Sequence, residues 1–396
     1  MSIPFDATSD RSRTTLDAPA SAGSAEVAGD STAAARAGAW GVVLGTVITT
    51  VGISWDIQWH NEVGPDTFFT LPHLFLYSGS AIAGFVSLAM VVRATAAQRA
   101  GRTVPFAGGT PIRVFGSTLT APVGYMVAGA GAALFLIYGL FDLEWHAIYG
   151  FDAVLNTPSH VALFLSISIT MIGSLMVFAA HRDHRWGRIG VVFATVILIA
   201  FAPIPADALN NLAPPVDAMV VATVLFAPML LIMGALVLGR PGSALAIGIA
   251  TAAVQAVLWW FSPWAAHTYA AAVGLPLRDG LTPAPPAFPS IIPMFLFVAA
   301  AAVEGLFFRM WRRREAETAN RPAGRTRLLP ICGVVAALIV GIGLPLQVYL
   351  TRPTAHISGT TVVTLLVAAV PLGLLAGYLG GAFAAMLRTL SVREGR

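Results

Sequence analysis

Ten apolar segments, each of roughly 20 residues, follow one another along this chain. A helix needs about 20 residues to cross the bilayer's hydrocarbon core, and it satisfies its backbone hydrogen bonds within its own segment. The alternating pattern of a barrel strand is absent. The sequence therefore predicts an all-α polytopic membrane bundle of about ten transmembrane helices arranged as hairpins. The predicted segments are 38–57, 71–95, 117–141, 158–181, 187–205, 214–238, 243–262, 288–310, 329–350 and 360–386.

The composition excludes a soluble globule. Apolar side chains make up 57% of the 396 residues, charged side chains only 11%, and the mean hydropathy is +0.77. Too little polar surface is available to cover a water-soluble fold. Cys332 is the single cysteine, which excludes an intramolecular disulfide and a multi-cysteine metal site, so any metal must be held mainly by nitrogen and oxygen ligands.

The positive charges indicate the orientation. All 23 basic residues are arginines, and only Arg278 and Arg352 lie outside the N-terminal tail, the even-numbered connections and the C-terminal tail. By the positive-inside rule we expect a multi-pass protein of the cell membrane with both termini cytoplasmic. The sequence pI near 9.6 then reflects arginines facing anionic lipid, so membrane lipid is an expected partner and nucleic acid is not.

Three regions are predicted along the chain. Residues 1–37, rich in Ala, Ser, Thr, Gly and Asp, do not resemble a signal peptide and are expected to form a disordered cytoplasmic tail. Residues 38–205 form helical hairpins, and residues 206–396 add transmembrane helices of unknown role. The polar stretch 311–328 is the most plausible seam in the membrane region.

A pair of aspartate and histidine motifs concentrates the chemistry. The segment DIQWHNEVGPDTFFTLPH recurs as DLEWHAIYGFDAVLNTPSH, and each copy contains a triad of one aspartate and two histidines. A tryptophan, a glycine, a second aspartate, a threonine and a proline repeat together with this triad. Residues four apart share a helix face, and a proline is tolerated in a first turn. Each copy thus predicts a carboxylate and a histidine ending one helix and a second histidine starting the next. The expected metal ligands, on the outer face of the membrane, are Asp56, His60, His73, Asp142, His146 and His160.

Ligand counting leaves the metal open, because two histidines and a carboxylate suit non-haem iron, zinc or copper. Neighbouring carboxylates could orient the ligating imidazoles or be solvated loop charges; these are Asp66, Asp152, Glu62 and Glu144. The motif tryptophans are expected to anchor the chain at the membrane interface; these are Trp55, Trp59 and Trp145.

Three residues further along the chain call for a role. The lone histidines His267 and His356 lie in outer loops and are expected to be solvated, although both could fold over the sites. Glu304 is costly inside a membrane helix, and Arg309 is its expected partner.

The first motif is very similar to the D-x-x-W-H … R-D-T-x-F-T-P-S-H signature of the C subunit of particulate methane and ammonia monooxygenases. The second has the spacing of that family's Asn-x3-His-x13-His site. The resemblance covers residues 38–181. The chain departs from the family at two positions: Pro65 stands where the family has arginine, and Asp142 stands where it has asparagine. It also continues through about six additional helices. The resemblance implies copper at the two sites, oxidation of small apolar substrates or ammonia by O2, and other monooxygenase subunits as partners.

The leading hypothesis is therefore a distant, enlarged relative: a copper-dependent membrane monooxygenase or its subunit. No residue is assigned as catalytic, and neither site is favoured. One alternative is copper uptake, export or storage, to which Met229 and Met233 add a thioether pair. Another is a haem electron-transfer bundle ligated by paired histidines, in which the aspartates have no role.

Overall fold

The computed structural model describes residues 22–150, 154–281, 284–316, 325–352 and 354–391. Eleven α-helices, one 3₁₀-helix and one β-hairpin occur in this part of the chain. They are α1 (Ala22–Glu62), α2 (Leu71–Arg99), β1 (Pro111–Val114), β2 (Leu119–Pro122), α3 (Val123–Tyr149), α4 (Pro158–Ala180), α5 (Arg185–Phe201), η1 (Ile204–Leu212), α6 (Ala218–Leu238), α7 (Ser243–Val273), α8 (Ala287–Ile291), α9 (Leu296–Ala316), α10 (Arg325–Thr351) and α11 (Gly359–Arg388).

The predicted all-α polytopic bundle is confirmed. Ten helical spans within the described residues are long and apolar enough to cross a membrane, and each overlaps one predicted segment. Two spans combine neighbouring elements, namely α5 with η1 and α8 with α9. The membrane, its identity and the side that each loop faces remain predictions.

The first helix is longer than predicted. Helix α1 begins at Ala22, whereas the sequence analysis placed residues 22–37 in a disordered tail. Alanine has the highest helix propensity, and this stretch is rich in it. Ala35 is buried, and the Tyr125 hydroxyl donates to its carbonyl over 3.5 Å, so tertiary contact also holds the segment. Residues 1–21, the rest of the predicted tail, lie outside the described part of the chain, as do residues 317–324 of the predicted seam.

A β-hairpin replaces the expected start of the third transmembrane helix. Strands β1 and β2 pair antiparallel, with Arg113 opposite Thr120. The turn between them has positive φ at Phe115, Gly116 and Ser117. Because this turn cannot continue a helix, α3 starts at Val123 rather than at 117 and extends past the apolar run to Tyr149.

The first four long helices form two close hairpins. A Cβ added to Gly45 in α1 would lie 2.6 Å from the Gly79 carbonyl oxygen of α2, and one added to Gly173 in α4 would lie 2.2 Å from the Ala128 nitrogen of α3. Such approaches require glycine, since no side chain fits between the backbones. The two helices of each hairpin are thereby held in close contact, and the motif residues of both hairpins lie at the same end.

Glu304 caps a helix rather than pairing with Arg309, which corrects the expectation from the sequence. Its Oε1 accepts from the Gly242 N–H over 2.6 Å and its Oε2 from the Ala244 N–H over 2.9 Å, at the start of α7. Arg309 is exposed and makes no ion pair with it. Backbone donors and the positive end of the helix dipole satisfy the buried carboxylate.

One hydrophobic core runs through the bundle. Its buried residues extend from Ala35 in α1 to Leu387 in α11 and include members of α5, α6 and α10. The helices after residue 205 therefore pack directly on the motif hairpins, which determines what surrounds the motif residues.

Candidate metal centre

The first hairpin turn presents the first triad. Helix α1 continues to Glu62, so Asp56 and His60 lie one turn apart on the same face, as predicted. Gly64 has φ +104°, a left-handed conformation that reverses the chain, and the Trp59 indole donates to the Pro65 carbonyl over 2.9 Å. The loop is thus folded back over the end of α1.

Four side chains converge there. His73 Nε2 lies 3.1 Å from Asp56 Oδ1 and 3.4 Å from Asp66 Oδ2, and His60 Nε2 lies 3.1 Å from Asp66 Oδ2 and 3.8 Å from Asp56 Oδ2. We call Asp56, His60, Asp66 and His73 the first cluster. Its candidate ligand atoms all lie within 4.8 Å of one another, so they could hold one metal ion.

The spacing of these atoms fits a coordinated ion. Metal bonds of 2.0–2.1 Å in a tetrahedral site place neighbouring ligand atoms about 3.3 Å apart, and the observed separations bracket that value. Asp56 Oδ1 and Asp66 Oδ2 are buried and have no hydrogen-bond partner among the described residues. Buried carboxylate oxygens without donors are costly unless a cation faces them. The donor set therefore suits a divalent ion.

The second cluster repeats the arrangement with three residues. His146 Nε2 and His160 Nε2 each lie 3.5 Å from Asp142 Oδ1, a buried oxygen that has no hydrogen-bond partner in the part of the chain that the structure describes. Asp142 and His146 come from the end of α3, and His160 from the first turn of α4, where the Thr157 side chain accepts from the His160 N–H. These three residues, the second cluster, could also hold a metal ion.

Backbone carbonyls orient three of the imidazoles. Nδ1 of His73 lies 3.0 Å from the Thr67 carbonyl oxygen, and Nδ1 of His160 lies 2.7 Å from that of Val154, six residues earlier in both cases. Nδ1 of His146 lies 3.0 Å from the carbonyl oxygen of Gly150. An Nδ1–H that donates to a carbonyl leaves Nε2 as the ligating atom, the usual arrangement behind metal-bound histidines.

The two clusters share one cavity. A space of about 50 Å³ is lined by all seven cluster residues and by apolar side chains from α1 to α4. Tyr77 also lines it; its ring stacks on His73 at 5.9 Å and lies 6.1 Å from Phe135. The repeat therefore builds two sites that face one small, largely apolar chamber.

The electrostatics of the loop follow from this packing. Burial acts to raise the pKa of the Asp66 carboxyl, but its close approach to His60 and the charge of His73 outweigh burial and lower that pKa below its ordinary value. Asp66 is therefore a carboxylate at neutral pH, the form that binds a cation.

All six predicted ligands are brought together, three in each cluster. Asp66, which the sequence left open between an orienting and a solvated role, has its Oδ2 within reach of both histidines. Glu62 instead pairs with His267 at 2.8 Å, and Glu144 is exposed. Asp152 lies outside the described residues.

Two of the three tryptophans are buried inside the bundle rather than exposed at its surface. Trp55 and Trp59 are 5% and 1% exposed and pack against the ring of Tyr269 in α7. The Tyr269 hydroxyl also accepts a hydrogen bond from the Leu71 N–H. The prediction of an aromatic belt is wrong for them, because α7 covers this end of the first hairpin. Trp145 is partly buried beside Tyr149.

Comparisons with protein-family models, with curated proteins and with solved structures find no match to this chain. The functional inference therefore depends on the geometry of the clusters and on the motif resemblance.

Proposed function

We propose that this chain is a copper-dependent, O2-using membrane monooxygenase, or the subunit of one that holds its metal. The observation that carries the proposal is the single apolar cavity onto which both Asp/His clusters open. Monooxygenation needs a reactive metal kept away from bulk water beside an apolar substrate. Helix ends fix the ligands rigidly, as such chemistry requires.

Copper is the proposed ion on two grounds. Imidazole is a good copper ligand, and copper(II) binds nitrogen and oxygen sites more tightly than the other divalent first-row ions. The motif spacing resembles that of the copper monooxygenase C subunit. Asp66 and Asp142 make both clusters more anionic than neutral histidine sites, which favours the divalent state at rest.

The reaction proposed is insertion of one oxygen atom into a C–H or N–H bond. The other oxygen atom leaves as water, with two protons and two electrons supplied by a membrane-soluble reductant of the hydroquinone class. Bound copper supplies the O2 chemistry, while the protein residues hold it and exclude water. We further propose that the clusters lie on the extracytoplasmic side of the cell membrane and that other monooxygenase subunits associate with the chain.

The test begins with the purified full-length protein, with any co-purifying subunits. Copper is quantified, and its ligand field is recorded by electron paramagnetic resonance, in wild type and in the His73→Ala and His160→Ala variants. The control is His267→Ala, which removes an exposed histidine outside both clusters. We expect copper loss and altered spectra in the two cluster variants only. O2-dependent oxidation of short alkanes, alkenes and ammonia is then assayed. Absence of metal, or full activity in both cluster variants, would refute the proposal.

The alternative of copper transport has weaker support. Met229 and Met233 are buried within the common core, where methionine packing accounts for them, and the clusters lie at helix ends rather than at the midplane. Copper flux into vesicles without substrate turnover would favour transport.

A haem is disfavoured because the cavity between the clusters, about 50 Å³, is far smaller than a porphyrin.

A further inference from the structure

A second, much larger cavity adjoins the metal chamber. It has a volume of about 560 Å³, within the range of pockets that hold small organic ligands. His60 and Leu155 line both cavities, so they form the wall between them. The rest of the larger cavity is contributed mainly by α6, α8, α10, α11 and the α10–α11 loop, which belong to the part of the chain for which no role is predicted from the sequence.

The cavity runs down into the bundle from the cluster end. Leu344 lies seven residues before the end of α10 and Leu365 six residues after the start of α11, which places both about 10 Å below the helix ends. Both are buried, as is Ile57 of α1 beside the metal cluster. The floor of the cavity is therefore largely aliphatic, whereas the wall that it shares with the metal chamber consists of Leu155 and His60.

The mouth is polar and carries one unpaired cation. Arg352 and His356 line the cavity and are exposed, and Arg352 makes no ion pair with any residue that the structure describes. Among the described lining residues the one carboxylate is Asp217, which caps α6 by accepting from the Met219 and Val220 N–H groups.

The position of this arginine is unusual for the chain. Among the arginines that the structure describes, only Arg278 and Arg352 lie at the cluster end of the bundle. The guanidinium of Arg278 packs beside Gly64 over the first hairpin turn, where it has a structural role. Arg352 is thus the available positive charge at this end, and it stands at the opening of an apolar pocket.

We propose that this pocket binds the substrate and that the substrate class is an aliphatic carboxylate of about ten carbons, with its head group at Arg352 and its chain end against His60. This inference rests on the proposed function for its link to catalysis, but the binding site stands on its own contacts. A chain of ten carbons occupies on the order of 300 Å³ if each carbon takes about the volume of a water molecule, and it fits this cavity. Methane or ammonia would leave it nearly empty.

Binding is tested without metal, so that failure of the pocket and failure of the metal proposal are distinguishable. Metal-depleted full-length protein in phosphatidylcholine nanodiscs is titrated with decanoate, decane and decylamine. We expect saturable binding of decanoate and at least tenfold weaker binding of decylamine. Equal binding of the amine would overturn the assigned head-group recognition.

Two variants and their matched controls locate the site. Arg352→Gln should weaken decanoate binding about tenfold or more, because it removes a charge-assisted hydrogen bond, whereas Arg278→Gln should not. Val220→Phe, which fills the pocket, should abolish binding, whereas Val367→Phe, on the exposed face of α11, should not. Wild-type binding by both Arg352→Gln and Val220→Phe would overturn the proposal.

A decanoate carrying a diazirine at its chain end tests the orientation. Photolysis should label Ile57, His60 or Leu155, as mapped by mass spectrometry. Labelling confined to the lipid-exposed faces of the bundle would refute the placement of the chain beside the metal cluster. His73→Ala should leave both binding and labelling unchanged, even where it removes the metal.

Discussion

Asp66 distinguishes the first cluster from a simple triad. Its Oδ2 approaches both His60 and His73, and its Oδ1 accepts from the Thr67 N–H, which fixes the carboxylate in place. We expect Asp66→Asn to weaken metal binding at the first cluster by at least about tenfold, because an anionic donor is lost. Competition titration with a copper chelator measures this.

Glu62→Gln is the matched control, since Glu62 lies near the same loop but pairs with His267. Equal affinity of wild type and Asp66→Asn would show that Asp66 does not contact the ion.

His181 makes stability depend on acidity at the opposite end of the bundle. It is buried, its Nε2 accepts from the Gly108 N–H over 3.0 Å, and burial, with a smaller contribution from His184, lowers its pKa to about 4. Because the unfolded histidine has a pKa near 6.5, this contribution is present above pH 6.5 and is lost as the pH falls toward 4. The loss amounts to about 3 kcal/mol at most.

Thermal unfolding in detergent between pH 7.5 and pH 4 measures this effect. His181→Gln retains an acceptor but does not titrate, so its melting temperature should fall less with acid than that of wild type. His184→Gln should change the acid dependence only slightly, since burial is the larger cause. Parallel acid curves for wild type and His181→Gln would contradict this assignment.

At the scale of helices and strands, apolar length predicted the ten spans, whereas local turn chemistry and tertiary packing set their ends. Helix α3 runs past its apolar segment because Asp142 and His146 face inward and extend it without exposing charge to lipid. The apolar segment predicted from hydropathy therefore ends at residue 141, just before Asp142. The β-hairpin was not predicted because the third apolar segment was taken to begin at residue 117, inside the hairpin, although Gly116 and Ser117 mark its turn.

Most cluster residues could be predicted from the sequence because their helical spacing and the internal repeat indicate which side chains lie together. Asp66 was less predictable, since a loop residue has no periodicity from which its direction could be read. The shared cavity depends on how α1 to α4 pack together, and the larger pocket on how α6, α8, α10 and α11 pack beside α1; no local pattern encodes either arrangement.

The start of α7 depends on a carboxylate from another helix. Glu304 accepts from two N–H groups there, so Glu304→Gln leaves one acceptor and loses the charge that complements the helix dipole. We expect a loss of about 1–2 kcal/mol in the free energy of unfolding. Urea or thermal unfolding of the purified variant measures it.

Arg309→Gln serves as the comparison, because a Glu304–Arg309 ion pair would make the two variants equally destabilised. The observed contacts instead predict a near wild-type stability for Arg309→Gln.

For the whole molecule, the remaining question is which side of the membrane carries the clusters. The ten spans place both hairpin turns and the pocket mouth at one end of the bundle and nearly all of the described arginines at the other. The positive-inside rule then predicts that the cluster end is extracytoplasmic. Cys332, the only cysteine, is fully buried, so a thiol reagent should react only with cysteines that are introduced at exposed positions.

Thr354→Cys places an exposed thiol at the cluster end, and Thr103→Cys places one at the arginine-rich end. A membrane-impermeant maleimide applied to intact cells should label Thr354→Cys alone, and both variants after the membrane is permeabilised. The reverse pattern would put the clusters in the cytoplasm, where a reducing environment would favour Cu(I). It would also remove the electrostatic argument for the orientation, since the arginines would then face the outer leaflet. Because both clusters and the pocket mouth share one end, a single labelling pattern decides the side from which metal and an anionic substrate enter.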